Sequence, residues 1–234
     1  MKKVNAPYPT LALTGTPGTG KSSAARALLD IVSREGFKLR LQKSRASRVR
    51  SFTVMEVSEL ALRLGHGHYE PGGTRWERLL SPVEVDLPSL SAAFKRLLPS
   101  PRPFIVVGHL SHLLPVDATL LLRCNPRELA RRLETRGDLE KDIRENVEAE
   151  LVDVVLFEAL ERKAPVYEHD TTSETPVDTA RWILRVLAGS ESSLSTSPPF
   201  NGNVDWLADD DPLPGGNRKG RKLDRANLTY RRGN

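Results

Sequence analysis

The apolar residues of this chain fall into short continuous runs, separated by stretches where they recur every three or four positions. Thr10-Leu-Ala-Leu-Thr14 is the first run and predicts a short buried strand. Ala24, Ala25, Ala27, Leu28, Leu29, Ile31 and Val32 then set a helical period over Ser22–Ser33, which Gly36 ends. Residues 37–42 alternate as a half-exposed strand does, and Phe52–Met55 predicts another short strand. A helix is expected from Glu56 to Leu64, closed by Gly65. Residues 65–82, rich in Gly, Pro and His with Tyr69 and Trp76, read as a loop or flap. Leu87–Leu98 is a helix preceded by Asp86. Phe104–Val107 and Ala118–Cys124 are apolar throughout, as parallel strands buried on both faces are. Asn125 as N-cap and Pro126 at the first helical position start a helix reaching about Thr135. After Gly137 a longer helix is expected over 140–161, then a strand at Pro165–His169 and a final helix at Pro176–Leu187. Strands alternating with helices point to an α/β fold with a parallel sheet covered on both faces.

After Gly189 the composition turns to Ser, Pro, Gly, Asn and charge, so 190–234 is expected to form a disordered tail. The net charge of +5 resides there. Seven basic residues between Arg218 and Arg232 stand against Asp224, and the rest of the chain nets −1. A second basic stretch comprises Lys38, Arg40, Lys43, Arg45, Arg48 and Arg50. Either cluster suits a polyanion such as RNA, or a solvated surface. No apolar run approaches the roughly 20 residues of a spanning helix, and the basic start leads into a strand, so a cytoplasmic protein is expected. Cys124, the only cysteine, excludes an intrachain disulfide and reads as a buried core thiol.

Between the first strand and the first helix lies Gly-Thr-Pro-Gly-Thr-Gly-Lys-Ser, residues 15–22. It meets the pattern G-x-x-x-x-G-K-[ST] in the required strand–loop–helix setting. Gly15, Gly18 and Gly20 let the backbone turn its N–H groups inward, where they and the helix N-terminus cradle phosphate oxygens. Lys21 is expected to reach the β- and γ-phosphates of a nucleoside triphosphate, and the Ser22 hydroxyl to ligate Mg²⁺. A GTPase would carry an Asn-Lys-x-Asp motif, which is absent, and the chain is short for a motor ATPase. A nucleotide kinase remains. It needs an acceptor site and a basic lid that closes on the triphosphate. Arg131, Arg132 and Arg136 fall at helical spacing before Gly137. They suit bidentate phosphate contacts or a basic helix face paired with Glu128 and Glu134.

Several segments together resemble the adenylate kinase isoenzyme 6 family, its archaeal branch in particular. They are Leu13–Ser22, Val57-Ser-Glu-Leu-Ala61, Val107-Gly-His-Leu-Ser-His-Leu-Leu-Pro115, Leu121–Pro126, Arg132-Leu-Glu-Thr-Arg-Gly137 and Glu145-Asn-Val-Glu-Ala-Glu150. The resemblance covers about 9–187. It implies a P-loop NTPase fold with a monophosphate-binding region near 53–86 and a lid near 135–145. It also implies phosphoryl transfer from ATP to AMP or another nucleoside monophosphate, accompanying ATPase activity, and Mg²⁺. A role in small-ribosomal-subunit maturation with ribosomal protein uS11 and pre-rRNA is implied as well. Carried over by position, Gly15, Gly18, Thr19, Gly20, Lys21, Ser22 and Ser23 would bind ATP. Arg136 would contact ATP from the lid, Arg132 the phosphates, and His109 would join Lys21 in catalysis.

The sequence departs from that pattern where the family carries an acid two positions before the histidine. Val107 stands there, and Asp117 and Asp86 are the candidates to replace it. Asp138 replaces an aromatic residue of the lid. His112, three residues after His109, reads as a packing histidine rather than a zinc ligand. Three readings follow: an adenylate kinase–like enzyme, an ATP-switched ribosome-assembly factor, and a kinase for another small acceptor.

Overall fold

A computed structural model of the chain describes residues 10–35, 37–39, 47–49, 52–69, 83–98, 104–191 and 204–208. In chain order the first elements are β1 (Thr10–Thr14), α1 (Lys21–Glu35), β2 (Phe37–Leu39), β3 (Ser47–Val49), β4 (Thr53–Glu56) and α2 (Val57–Arg63). Then come β5 (Gly67–Tyr69), β6 (Val83–Val85), α3 (Leu87–Leu97), β7 (Phe104–Val107), a 3₁₀ turn (Ser111–Leu113), β8 (Ala118–Arg123) and α4 (Pro126–Arg136). The last are α5 (Glu140–Leu151), α6 (Val154–Leu160), β9 (Val166–Asp170), α7 (Pro176–Leu187) and a 3₁₀ turn (Trp206–Ala208).

The apolar runs of β1, β7 and β8 are buried at every position, because helices cover both sheet faces. The five-stranded sheet has the order β4-β7-β1-β8-β9, and all its pairs are parallel. Side chains alternate between faces. Leu11, Leu13, Ile105, Val107, Leu120 and Leu122 pack with α1 and α7. Phe104 and Val106 face the other way, onto Val57, Leu60, Leu90 and Phe94 of α2 and α3. β1 lies between β7 and β8, and the chain leaves it for α1. The crevice at the carboxyl ends of these strands is where open α/β sheets bind ligands.

Local chemistry sets the helix ends where the sequence places them. The Asp86 carboxylate accepts from the Ser89 N–H at 3.1 Å, and the Asn125 side chain from the Arg127 N–H at 3.0 Å. Thr175 and Asp178 form a capping box ahead of Pro176. Gly137 ends α4 in the left-handed conformation at φ 87°, where a side chain would be strained.

Three expectations need correction. The helix expected over 140–161 is two helices, α5 and α6, because Asp153 sits in the left-handed region at φ 60°. Its carboxylate thereby reaches Arg123 at 2.5 Å. The loop expected at 65–82 holds β5, which pairs antiparallel with β6. Within the 190–234 tail, residues 204–208 are placed against the body and Trp206 is buried. Residues 40–42 of the expected second strand, 70–82 of the flap and the basic tail from 217 lie outside the described residues.

Asp153 belongs to a buried charge cluster beneath the carboxyl end of β8. Arg123 is 1% exposed. Its guanidinium meets Glu150 at 2.7 Å, Glu168 at 2.7 Å and Asp153 at 2.5 Å. Burial works against its charge, but these carboxylates outweigh burial and raise its pKa. One guanidinium cannot satisfy three carboxylates alone. The N–H groups of Cys124, Val204 and the Trp206 indole supply further donors, at 3.1, 3.2 and 3.2 Å. Removing one member of such a cluster leaves buried charge uncompensated, at about 3–5 kcal/mol. Arg123→Met is therefore expected to lose at least about 3 kcal/mol of stability in urea unfolding of the full chain. A loss below about 1 kcal/mol would contradict this account of the cluster.

Candidate active site

The loop from Gly15 to Gly20 joins β1 to α1, and its shape depends on tight contacts. Gly15 has φ 137°, and a Cβ there would lie 2.3 Å from the Leu122 carbonyl oxygen of β8. Any other residue would be strained and would push the loop off the sheet. The Thr19 N–H and hydroxyl both donate to the Thr16 carbonyl, at 3.2 and 2.9 Å. Thr16 is buried, and its hydroxyl donates to Glu150 Oε2 at 2.5 Å. The phosphate loop is thus bolted to the charge cluster below it. The sequence singles out neither Thr16 nor Glu150 for this. The available signal was an acid in the 145–150 segment that falls on a buried helix face.

Lys21 opens α1, whose first turn carries no acidic residue. Its ammonium donates to the carbonyls of Gly15 and Thr16, both at 2.8 Å. Burial lowers its pKa to about 8, against the raising pull of Glu56 and Glu150, and the Arg136 charge adds to the lowering. A desolvated cation at a helix N-terminus, hydrogen-bonded among the described residues to neutral carbonyls, suits an anion. This is the observation on which a triphosphate fits the loop. Ser22, next on α1, donates its hydroxyl proton to Glu56 Oε1 at 2.7 Å. Ser23 is exposed beside it.

His109 follows β7 through Gly108, whose N–H donates to the Leu13 carbonyl at 3.1 Å. The Thr14 hydroxyl donates to the His109 carbonyl at 3.1 Å. The histidine therefore stands beside the loop. Burial and the Lys21 charge lower its pKa, which keeps it neutral at pH 7. His112 packs, as expected. It is 1% exposed, with Nδ1 at 2.9 Å from the Thr14 hydroxyl and Nε2 at 3.1 Å from Glu158. Burial pushes its pKa down to about 4. Cys124 is likewise a core thiol, pushed up to about 12 by burial.

The two lid arginines differ. Arg136 is exposed, and its Nε donates to Asp138 at 2.7 Å with Nη2 on the same carboxylate. The structure brings it near Lys21. Arg132 is half-buried and makes four hydrogen bonds: to Glu128, to the Thr171 hydroxyl, and to the carbonyls of Thr171 and Thr172. The Thr171 hydroxyl in turn lies between two carbonyls that share its one proton, Arg123 at 2.8 Å and Thr19 at 3.0 Å. In this conformation Arg132 braces the loop after β9, and Lys21, Ser22, His109 and Arg136 gather at the site. Neither proposed substitute for the acid missing at Val107 is free. Asp86 caps α3, and Asp117 accepts from the Thr10 N–H at 2.8 Å, at the opposite end of β1.

Comparison with known proteins places the chain in a family. A family model described as an AAA domain matches residues 11–153. A protein of Thermococcus onnurineus named "Putative adenylate kinase" is 35% identical over 204 residues, 87% of this chain and 94% of the relative. One of the same name from Archaeoglobus fulgidus is 36% identical over 199 residues, 85% of this chain and 92% of the relative. The chain belongs to the adenylate kinase–like family of P-loop proteins. Among solved structures, a shikimate kinase from Acinetobacter baumannii in complex with shikimate covers 80% of this chain and 96% of its own, at 13% identity and a TM-score of 0.48. That likeness is too loose to bear on function. Among the described residues no helix of this family member is long and apolar enough to cross a membrane.

The lowered Lys21 pKa has a consequence for binding. Below about pH 8 the ammonium is charged in the free protein, and above it the proton is lost. A polyphosphate favours the charged form, so binding holds the proton on. Triphosphate affinity is therefore expected to fall above pH 8, by up to about tenfold per pH unit. Titration calorimetry at pH 8.5–9 in buffers of different ionisation enthalpy should show proton uptake on binding. A flat affinity from pH 7 to 9.5 without uptake would refute the assignment of Lys21 to the phosphates.

Proposed function

We propose that this chain transfers the γ-phosphoryl group of ATP to a nucleoside monophosphate, AMP above all, giving ADP. The observation that carries the reading is the desolvated Lys21 ammonium inside the glycine loop, with Ser22, His109 and Arg136 gathered around it. Family membership supports it. Phosphoryl transfer asks little covalent chemistry of a protein. The acceptor phosphate is already ionised, so no strong base is needed. One bond forms between the acceptor oxygen and the γ-phosphorus as the bond to the ADP oxygen breaks. The protein's part is to align the two nucleotides, exclude water and neutralise the phosphates.

In this reading the backbone of Gly15, Gly18, Thr19 and Gly20, with Ser23, holds the triphosphate. Lys21 and Arg136 neutralise charge on the transferring group, and Arg132 keeps the site in shape until the lid closes. Mg²⁺ would be held by Ser22 together with phosphate oxygens of the nucleotide. The neutral His109 can hydrogen-bond a phosphate oxygen or a water. The monophosphate region would comprise α2 and the β5–β6 ribbon. Asp138 competes with the nucleotide for Arg136, so Asp138→Asn is expected to tighten ATP binding severalfold. Unchanged or weaker binding would remove Arg136 from the ATP site.

A second activity is also proposed: ATP hydrolysis serving small-subunit maturation, with ribosomal protein uS11 and pre-rRNA as partners. It rests on the sequence resemblance and on the basic stretches at 38–50 and 218–232. One assay separates the readings: ADP formation from ATP, with and without each monophosphate. Strong stimulation by AMP is expected, and Lys21→Ala should abolish it. Wild-type turnover in Lys21→Ala would overturn the site. Slow turnover indifferent to every monophosphate, but raised by the ribosomal partner, would favour the assembly ATPase.

A further inference from the structure

The family resemblance implies an acid that helps order Mg²⁺ at the end of β7, where this chain has Val107. Val107 is buried among the residues that pack under α1. Its Cα partner on the neighbouring strand is Glu56, the last residue of β4. Paired residues of a parallel sheet project to the same face, so Glu56 emerges on the side that carries α1. Val54, two positions earlier, packs into that same cluster, and Met55 between them packs on the other face. Of the three, Glu56 is therefore the one that combines the correct face with the carboxyl edge of the sheet. Its side chain reaches Ser22 at 2.7 Å.

We propose that Glu56 supplies, from the adjacent strand, the metal-positioning carboxylate that Val107 cannot. The inference rests on the reading of the loop as a nucleotide site. Two features carry it. First, Ser22 donates its only proton to Glu56, which leaves the lone pairs of the hydroxyl oxygen for a cation. A P-loop hydroxyl oriented in this way is one half of a Mg²⁺ site. Second, Glu56 is close enough to Lys21 to act on its charge. A carboxylate beside a polyphosphate site repels the ligand unless a divalent cation stands between them. Its position thus makes sense for a metal–nucleotide complex and works against a bare nucleotide. Glutamate is one methylene longer than aspartate, which suits an origin one strand further out. Glu56 is a positioning residue: it acts on the ion through Ser22 and the ion's water shell.

The test uses the full chain with ADP and Mn²⁺, read by electron paramagnetic resonance, against Glu56→Gln. That variant removes the charge and keeps the shape at a half-exposed strand end. Mn²⁺ affinity for the protein–ADP complex is expected to fall roughly 10- to 100-fold, the usual effect of losing an outer-sphere partner. Metal-free ADP should bind as well as to wild type, or better. Wild-type Mn²⁺ affinity in Glu56→Gln would overturn the inference. So would an equal loss of metal-free ADP binding, because Glu56 would then be shaping the loop rather than the metal site. If wild-type protein bound no ADP at all, the nucleotide reading itself would fail, and this inference with it.

Discussion

Glu150 is the contact on which the site depends. Its Oε2 accepts from Thr16 inside the phosphate loop, and its Oε1 accepts from Arg123, the Cys124 N–H and the Trp206 indole. One carboxylate on α5 therefore ties the loop, the end of β8 and a segment of the tail to a single point. Leaving an ionised carboxylate buried costs several kcal/mol, so this geometry persists only while its donors are in place. Arg123 meets the largest part of that need. Its own burial is tolerable because Glu168 and Asp153 share it. The left-handed turn at Asp153 follows from the same requirement. Breaking a helix there costs on the order of 1 kcal/mol, less than an unpartnered buried guanidinium.

That cluster also sets the electrostatics above it. Burial lowers the pKa of Lys21, and the negative charges of Glu56 and then Glu150 resist this. The ammonium is thereby kept available near neutral pH, and among the described residues its hydrogen bonds go to the neutral carbonyls of Gly15 and Thr16. Donors fixed before the ligand arrives need no reorganisation when charge develops on the transferring group. The glycine loop, the bare N-terminus of α1 and Lys21 together constitute such a site.

Much of this was legible in the sequence. The buried strands follow from their apolar runs, and the helix starts after Asp86 and Asn125 from local chemistry that neighbouring residues decide. The positions of Lys21 and Ser22 at the start of the first helix follow from the motif, whereas His109 is singled out by the family resemblance. What escaped depends on partners distant in the chain. Asp153 looks like an ordinary helical residue until Arg123, thirty positions away, is known to lie beside it. Trp206 sits in a segment too polar to form a core, and it finds one that already exists. β5 is three residues long and takes its identity from β6, across residues of loop-like composition. Glu56 reads in the sequence as the start of a helix, but it is the last residue of β4. Only the register with β7 reveals which residue it stands beside.

The two lid arginines show how partners decide what a cation can do. Both were expected on phosphate, and in spacing they are equivalent, four residues apart on one helix face. Arg136 is paired with a single carboxylate at the surface, and exposed pairs of that kind contribute at most about 1 kcal/mol. A polyphosphate, with more charge and more acceptors, can outcompete Asp138. Arg132 is in a different position. To follow the nucleotide it would have to give up the carbonyls of Thr171 and Thr172, together with Glu128 and the Thr171 hydroxyl. Those carbonyls belong to the loop whose Thr171 hydroxyl lies between the carbonyls of Arg123 and Thr19. Moving Arg132 would therefore free a segment that borders both the end of β8 and the glycine loop. The physical division is that Arg136 has one surface carboxylate to exchange for a ligand, whereas Arg132 is tied to the backbone of the loop it borders.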